Sequence, residues 1–203
     1  MSSRLILSSS SPFRAKILSA AGVKFSVKKA SFDERKIEKQ TTSVCAKDVA
    51  EFLAEAKALD CAQNLNNDER GEKIFILGCD QTLELDGKIL HKAKTLPQAR
   101  QRLEQMSQKT HYLHSAIALI LNGKKIWSTT ETVSLTMRQL SATFIANYLN
   151  NTGEKILSSV GCYQIEGEGI QLFEKIEGDF FSIIGLPLLP LLKKLRELGL
   201  LDV

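Results

Sequence analysis

Aromatic side chains are scarce in this 203-residue chain, at 6%, which leaves little material for a surface on which successive bases stack. One-sided charge is missing too. Lys and Arg exceed Asp and Glu by 4, an excess that admits an anionic ligand without implying nucleic acid. The cysteines Cys45, Cys61, Cys79 and Cys162 are far apart and never in a C-x-x-C spacing. That argues against a zinc knuckle or a thioredoxin-like motif and reads them as buried small hydrophobes in a reducing compartment. Long apolar runs are absent as well. Leu5 to Leu7 is too short for a signal peptide, and Ile183 to Leu192 is broken by Gly185, Pro187 and Pro190, so nothing reads as membrane-spanning. The expectation is a soluble, cytoplasmic protein with the hydrophobic content of an ordinary folded domain.

What is present is a mixture of strand and helix signals. A short apolar strand, Arg4 to Ser8, runs into four serines and Pro12, with Ser11 as cap of a helix that Gly22 closes. Val23 to Lys29 reads as a strand, Ala30 to Thr42 as a polar loop, and Val44 to Asn64 as the longest helix. Ile74 to Leu77 suits a buried strand ending at Gly78. Asp86-Gly87 and Asn122-Gly123 mark hairpin turns, the first within Leu83 to Leu90, the second between strands Tyr112 to Leu121 and Lys125 to Met137. Helices are expected from Thr95 to Met106, Ser141 to Leu149 and Leu186 to Leu198. Between the last two, Gly161, Gly167, Gly169 and Gly178 punctuate what read as short strands. Strands and helices do not alternate strictly, so the fold class is α/β with a mixed sheet.

Several segments carry chemistry. Serine hydroxyls, free N–H groups and the helix N-terminus after Ser8-Ser9-Ser10-Ser11-Pro12 form an anion site or a plain capped turn, with Arg14 in its first turn. Ala46, Ala50, Leu53 and Lys57 share one helical face, so Lys57 continues an apolar stripe, where it either snorkels or meets an anion. Glu51 and Glu55 look merely solvated. Asp80, just past the buried run, is a candidate ligand or base, or the first residue of a turn. Glu34 has the same ambiguity, and Lys92 follows the hairpin strand toward the same edge. His111 and His114 are not a metal pair, because i and i+3 on a strand face opposite ways. His91 reads equally well as a surface residue. In Tyr163-Gln164-Ile165-Glu166-Gly167-Glu168-Gly169 the glycines would let backbone approach a ligand that Glu166 faces, or make a solvated bend.

Taken in order, Leu5-Ile-Leu-Ser-Ser-Ser-Ser-Pro-Phe-Arg14, Phe32-Asp33-Glu34, Leu53-Ala54-Glu55-Ala56-Lys57-Ala58, Gly78-Cys79-Asp80-Gln81, Asp86-Gly87-Lys88-Ile89-Leu90-His91-Lys92 and Gly185-Leu186-Pro187 resemble the Maf family. The resemblance covers about residues 4 to 200. It implies a single Maf-like domain over residues 1–203, with two lobes around one cleft. The implied architecture is an elongated mixed β-sheet with flanking helices and a deep central cleft, akin to the inosine triphosphatase (Maf/Ham1) fold. It further implies a cytoplasmic nucleoside triphosphate pyrophosphatase, linked to septum control and to clearing unwanted nucleotides. Its partner is a nucleoside triphosphate, with no nucleic acid or membrane, and a homodimer is the assembly to test.

By the same resemblance Asp80 matches the family's proton acceptor, Glu34 the acid of a D-x-D-E block, Lys57 the lysine of L-A-x-x-K-A and Lys92 the lysine of G-K-P. Ser9, Ser11 and Arg14 match its phosphate-side residues. A divalent cation, Mg²⁺ or Mn²⁺, would be held by Glu34 and Asp80. His91 and Ala93 depart from the family's glycine and proline around that lysine. Phe13, Gln81 and Glu166 replace the residues of members acting on dTTP and UTP, and look like the branch that hydrolyses 7-methyl-GTP. A flat ring at Phe13 would stack on a base, and Glu166 would accept from the donor edge of guanine. The readings left open are a dTTP/UTP pyrophosphatase and a nucleotide-binding division regulator with little turnover.

Overall fold

The structure, a computed structural model, describes residues 3–31, 45–65 and 73–202. Glu34 and most of the expected loop lie outside the described residues. In chain order the elements are β1 (Ser3–Ser8), α1 (Pro12–Ala20), β2 (Ser26–Val27), α2 (Ala46–Gln63), β3 (Lys73–Leu85) and β4 (Lys88–Leu90). There follow α3 (Leu96–Met106), β5 (Thr110–Leu121), β6 (Lys124–Met137), α4 (Ala142–Thr152), β7 (Phe173–Glu177), α5 (Phe180–Ile183) and α6 (Leu188–Glu197). The strands form a mixed sheet in the order β2-β1-β3-β5-β6-β7, with β4 added to β3. The mixed α/β expectation holds.

Local chemistry explains most boundaries. Ser11, Thr95 and Ser141 cap α1, α3 and α4, each side chain accepting a backbone N–H three residues on. Asp86 (φ 50°) with Gly87 (φ 71°), and Asn122 (φ 53°) with Gly123 (φ 73°), supply the paired positive φ values of a type I′ hairpin turn. Three expectations are corrected. The strand expected over Val23 to Lys29 shrinks to Ser26–Val27, because only Ile6 and Leu7 of β1 pair with it. The glycine-punctuated region contributes a single strand, β7, beside 3₁₀ turns at Gly153–Ser158 and Glu168–Leu172 and the short α5. And β3 does not end at Gly78 but runs on to Leu85.

That last correction builds the site. On one edge β3 pairs with β5 without a break from Phe75↔Leu121 to Glu84↔Tyr112. On the other edge β1 covers Lys73 to Gly78 in parallel, and β4 covers Leu83 to Leu85 antiparallel. Among the described residues, 79–82 therefore lie in a gap between two partner strands. The ligand-side opening that sequence reasoning placed at the end of β3 belongs instead to the end of β1.

Small residues bring α2 onto this sheet. Ala50 and Ala54 pack against Ala116 and Ala118, all four fully buried. A Cβ at Gly78 would fall 1.9 Å from the Ala54 carbonyl oxygen, so only glycine admits the helix at this depth. The opposite face buries Leu5, Leu7, Phe75 and Leu77 against Leu18 of α1 and Leu191 and Leu195 of α6. Each such side chain contributes about 1.5–3 kcal/mol by leaving water. Further along, Leu83, Leu113 and Leu135 pack with Leu103, Met106 and Ile145 of α3 and α4. Glu51 and Glu55 are not merely solvated: Glu51 accepts from the Ser128 hydroxyl at 2.7 Å and Glu55 pairs with Lys125 at 2.6 Å, tying α2 to β6.

Candidate active site

The alternation of β3 sends Asp80 and Thr82 toward α2 and Gln81 to the other face. Thr82 donates to the Ala46 carbonyl at 2.8 Å, fixing the start of α2. One helix turn beyond Ala54, Lys57 reaches Asp80, and its Nζ donates to Asp80 Oδ1 at 2.5 Å. Both residues are buried, with side chains 11% exposed. The anion that Lys57 meets is thus Asp80 itself, and the snorkelling alternative is excluded. Ser8, the last residue of β1, donates to the Lys57 carbonyl at 2.9 Å and locks the helix to the strand end.

Arg14 is built into the same gap. Its Nη1 donates to the Cys79 carbonyl at 2.9 Å and to Ser9 Oγ at 3.1 Å, and its Nε to the Gly185 carbonyl at 2.8 Å. Ser9 Oγ also accepts from the Ser11 amide at 3.2 Å. Among the described residues Arg14 Nη2 makes no hydrogen bond, so this group alone remains to address a ligand. Cys79 stays a neutral thiol: burial pushes it up to about 11, more than Arg14 and Lys57 lower it. It is no nucleophile at neutral pH.

Gln81 points to α5. Its amide nitrogen donates to Ser115 Oγ at 2.8 Å and to the Ser182 and Ile183 carbonyls, both at 3.0 Å. Asp179 caps that turn through the Ser182 amide at 2.7 Å.

These groups open on a cleft of about 1450 Å³ whose lining brings together most of the expected residues. Ser9, Ser11, Phe13, Arg14, Lys57, Asp80, Gln81, Lys92 and Glu166 all line it. Phe13 is half-buried, while Lys92 and Glu166 are exposed. His91 lines it too, as do Lys29, Lys88 and Lys94, so among the described residues lysines and Arg14 outnumber the acids Asp80 and Glu166. Glu34 lies outside the described residues.

Other expectations change. Gly169 does not admit a ligand: a Cβ there would fall 2.5 Å from the Gln164 carbonyl oxygen, so it closes the turn on itself. Cys45 is exposed at the N-cap of α2, unlike the three buried cysteines. His111 and His114 do face apart, His111 on Tyr163 and His114 between Thr132 and Glu84. Sequence reasoning missed the carbonyls of Cys79, Ser182 and Gly185, because a backbone acceptor carries no residue-type signal.

The chain is matched from residue 4 to 198 by the family model described as Maf-like protein. It is 52% identical to a 7-methyl-GTP pyrophosphatase of Bartonella henselae (strain ATCC 49882 / DSM 28221 / CCUG 30454 / Houston 1), over 98% of this chain and 97% of that protein. A 7-methyl-GTP pyrophosphatase of Brucella suis biovar 1 (strain 1330) is 47% identical over the whole of both chains. Among solved structures, a nucleoside-triphosphatase / dITP/XTP pyrophosphatase from Mycobacterium abscessus superposes with a TM-score of 0.44 at 13% identity, covering 98% of each chain, too loose a likeness to bear on the fold. Relatives near half-identical from end to end, and a family model spanning almost every residue, make this chain a member of the Maf family.

Proposed function

We propose that the protein is a nucleoside triphosphate pyrophosphatase that hydrolyses 7-methyl-GTP to the nucleoside monophosphate and pyrophosphate. The observation that carries this reading is the buried Lys57–Asp80 pair at a break in the sheet, opening on a cleft rich in cations. A triphosphate is a concentrated anion, and a cleft lined mainly by cations raises its local concentration. The relatives named as 7-methyl-GTP pyrophosphatases support the same substrate.

In this reading Asp80 takes the proton of a water that attacks the α-phosphorus. The new P–O bond forms as the bond to the bridging α–β oxygen breaks, and pyrophosphate leaves. Lys57 holds the Asp80 carboxylate in register. Ser9, Ser11 and the N-terminus of α1 receive phosphate oxygens, with Arg14 Nη2 and Lys92 adding charge. Asp80, the buried carboxylate of the cleft among the described residues, suits Mg²⁺ or Mn²⁺, which bind through one or two carboxylates plus the substrate's own phosphates. Asp80, with Glu34, would hold that ion. When bound it supplies charge neutralisation to the polyphosphate.

At the base end, 7-methylguanine carries positive charge on its imidazole ring. Phe13 stacks on it with a cation–π contribution, and Glu166 accepts from its N–H edge. Gln81 contributes indirectly, by holding the Ile183–Ile184 side of the cleft. The reading includes a single domain, a cytoplasmic location and a homodimer open to test. Among the described residues no helix is long and apolar enough to cross a membrane. A link to septum control would be separable from turnover with the Asp80→Asn variant.

The test is pyrophosphate release from a panel of 7-methyl-GTP, GTP, dTTP and UTP with Mg²⁺ or Mn²⁺. The expected result is preferential hydrolysis of 7-methyl-GTP. Preference for pyrimidine triphosphates would defeat the base assignment. No turnover of any nucleotide above the Asp80→Asn background would defeat the enzyme reading.

A further inference from the structure

His111 is fully buried in β5, yet one of its ring nitrogens has no use there. Its Nε2 meets the Tyr163 hydroxyl at 2.8 Å, while Nδ1 finds no hydrogen-bond partner among the described residues. The ring otherwise contacts Phe173, at 6.0 Å between centroids, and Tyr163 packs edge-on against the same Phe173 at 4.8 Å. An apolar side chain would fill this space without leaving a polar atom unpaired. Stability therefore does not account for an imidazole here, and its one directed contact is with Tyr163.

Tyr163 sits in the segment that forms one side of the cleft, residues 158–161 and 163–166. That segment is unusually constrained for a loop. Cys162 is held at φ 58°, and a Cβ at Gly161 would fall 2.2 Å from the Tyr163 ring, so the chain folds tightly around that ring. Arg102 of α3 donates to the Val160 carbonyl at 3.0 Å, and Tyr148 of α4 to the Cys162 carbonyl at 3.2 Å. The His111–Tyr163 bond adds the link to the sheet. Three residues past Tyr163 comes Glu166, on the cleft.

We propose that His111 and Tyr163 are a positioning pair that fixes this side of the cleft, and so sets discrimination among nucleobases without touching the reacting phosphates. The inference rests on the pyrophosphatase reading and deepens it. His111 acts through Tyr163, whose backbone carries Gln164 to Glu166. The bond acts without charge on the ring, since burial holds the imidazole neutral near pH 7.

The experiment compares wild type with Tyr163→Phe, which removes only the hydroxyl, and His111→Phe, which keeps the volume. His111→Gln is the conservative rescue, since its amide reaches toward the hydroxyl. Steady-state constants are measured for 7-methyl-GTP and for UTP, alongside circular dichroism to confirm folding. In Tyr163→Phe and His111→Phe, KM for 7-methyl-GTP should rise roughly tenfold, the weight of one well-made hydrogen bond. KM for UTP should change much less, and kcat less than KM. The double variant should cost no more than either single one, and His111→Gln should recover most of the loss. An unchanged KM ratio between the two nucleotides, with only thermal stability lowered, would overturn the positioning role. So would an equal loss of kcat on both. A wild type that turns over no nucleotide is a different result, and removes the pyrophosphatase reading together with this one.

Discussion

Lys57 and Asp80 are both buried, and each meets the other's charge directly. Lys57→Met should cost about 1.5–3 kcal/mol, the weight of a hydrogen bond to a charged group, because it removes a cationic partner of a buried carboxylate, and should abolish turnover. Urea denaturation with a parallel pyrophosphate assay measures both. His111 gives a pH signature. Burial lowers its pKa from 6.5 to about 4, so between those values the unfolded chain holds a proton that the folded chain does not. Its contribution is then flat above pH 6.5 and falls as the pH drops toward 4, by about 3 kcal/mol in total. Urea midpoints at pH 7 and pH 4.5 should show His111→Phe losing less stability on acidification than wild type; equal losses would contradict the assignment. Lys57 was legible in the sequence as a charge continuing the stripe of Ala46, Ala50 and Leu53. The anion it meets was not, because Asp80 lies far along the chain on another element. The His111–Tyr163 pair was illegible for the same reason: only the fold brings β5 against the loop before β7.

Elements whose boundaries rest on local chemistry were readable, and those set by pairing were not. Capping serines and threonine, the two I′ turns and the amphipathic α6 follow from neighbouring residues alone. Gly78-Cys79-Asp80-Gln81, by contrast, reads as a strand end, having a glycine and two polar residues. Ten register pairs with β5, from Phe75 to Glu84, override that signal. The glycines after Gly161 misled in the opposite sense, since close internal packing and strand breaks demand glycine equally. Gly78 offers the sharpest test at this scale. Gly78→Ala would drive a methyl into the backbone of α2 and should cost about 3 kcal/mol, withdrawing Lys57 from Asp80 and with it activity. Lys125→Ala, which cuts only the half-exposed tie to Glu55, should cost under about 1 kcal/mol. Thermal melts of the two variants check both statements; comparable losses would contradict the packing argument.

Across the molecule, a modest net charge conceals a local one: Arg14, Lys29, Lys57, Lys88, Lys92 and Lys94 line the cleft, where the acids among the described residues are Asp80 and Glu166. Attraction at that range is screened as the Debye length falls from about 30 Å at 0.01 M salt to about 8 Å at 0.15 M. KM for 7-methyl-GTP should therefore rise several-fold across that interval with kcat nearly constant. A salt-independent KM would remove the role given to Lys88, Lys92 and Lys94 in drawing the polyphosphate in. The whole arrangement converges on one side chain placed in the gap between β1 and β4. The most direct measurement is kcat/KM for 7-methyl-GTP, followed by pyrophosphate release with Mg²⁺ or Mn²⁺ present, in wild type and in Asp80→Asn, with circular dichroism confirming that both are folded. A proton acceptor at this position predicts a fall of about 10²–10⁴ in a folded variant. A folded Asp80→Asn protein that keeps the wild-type rate would contradict the account.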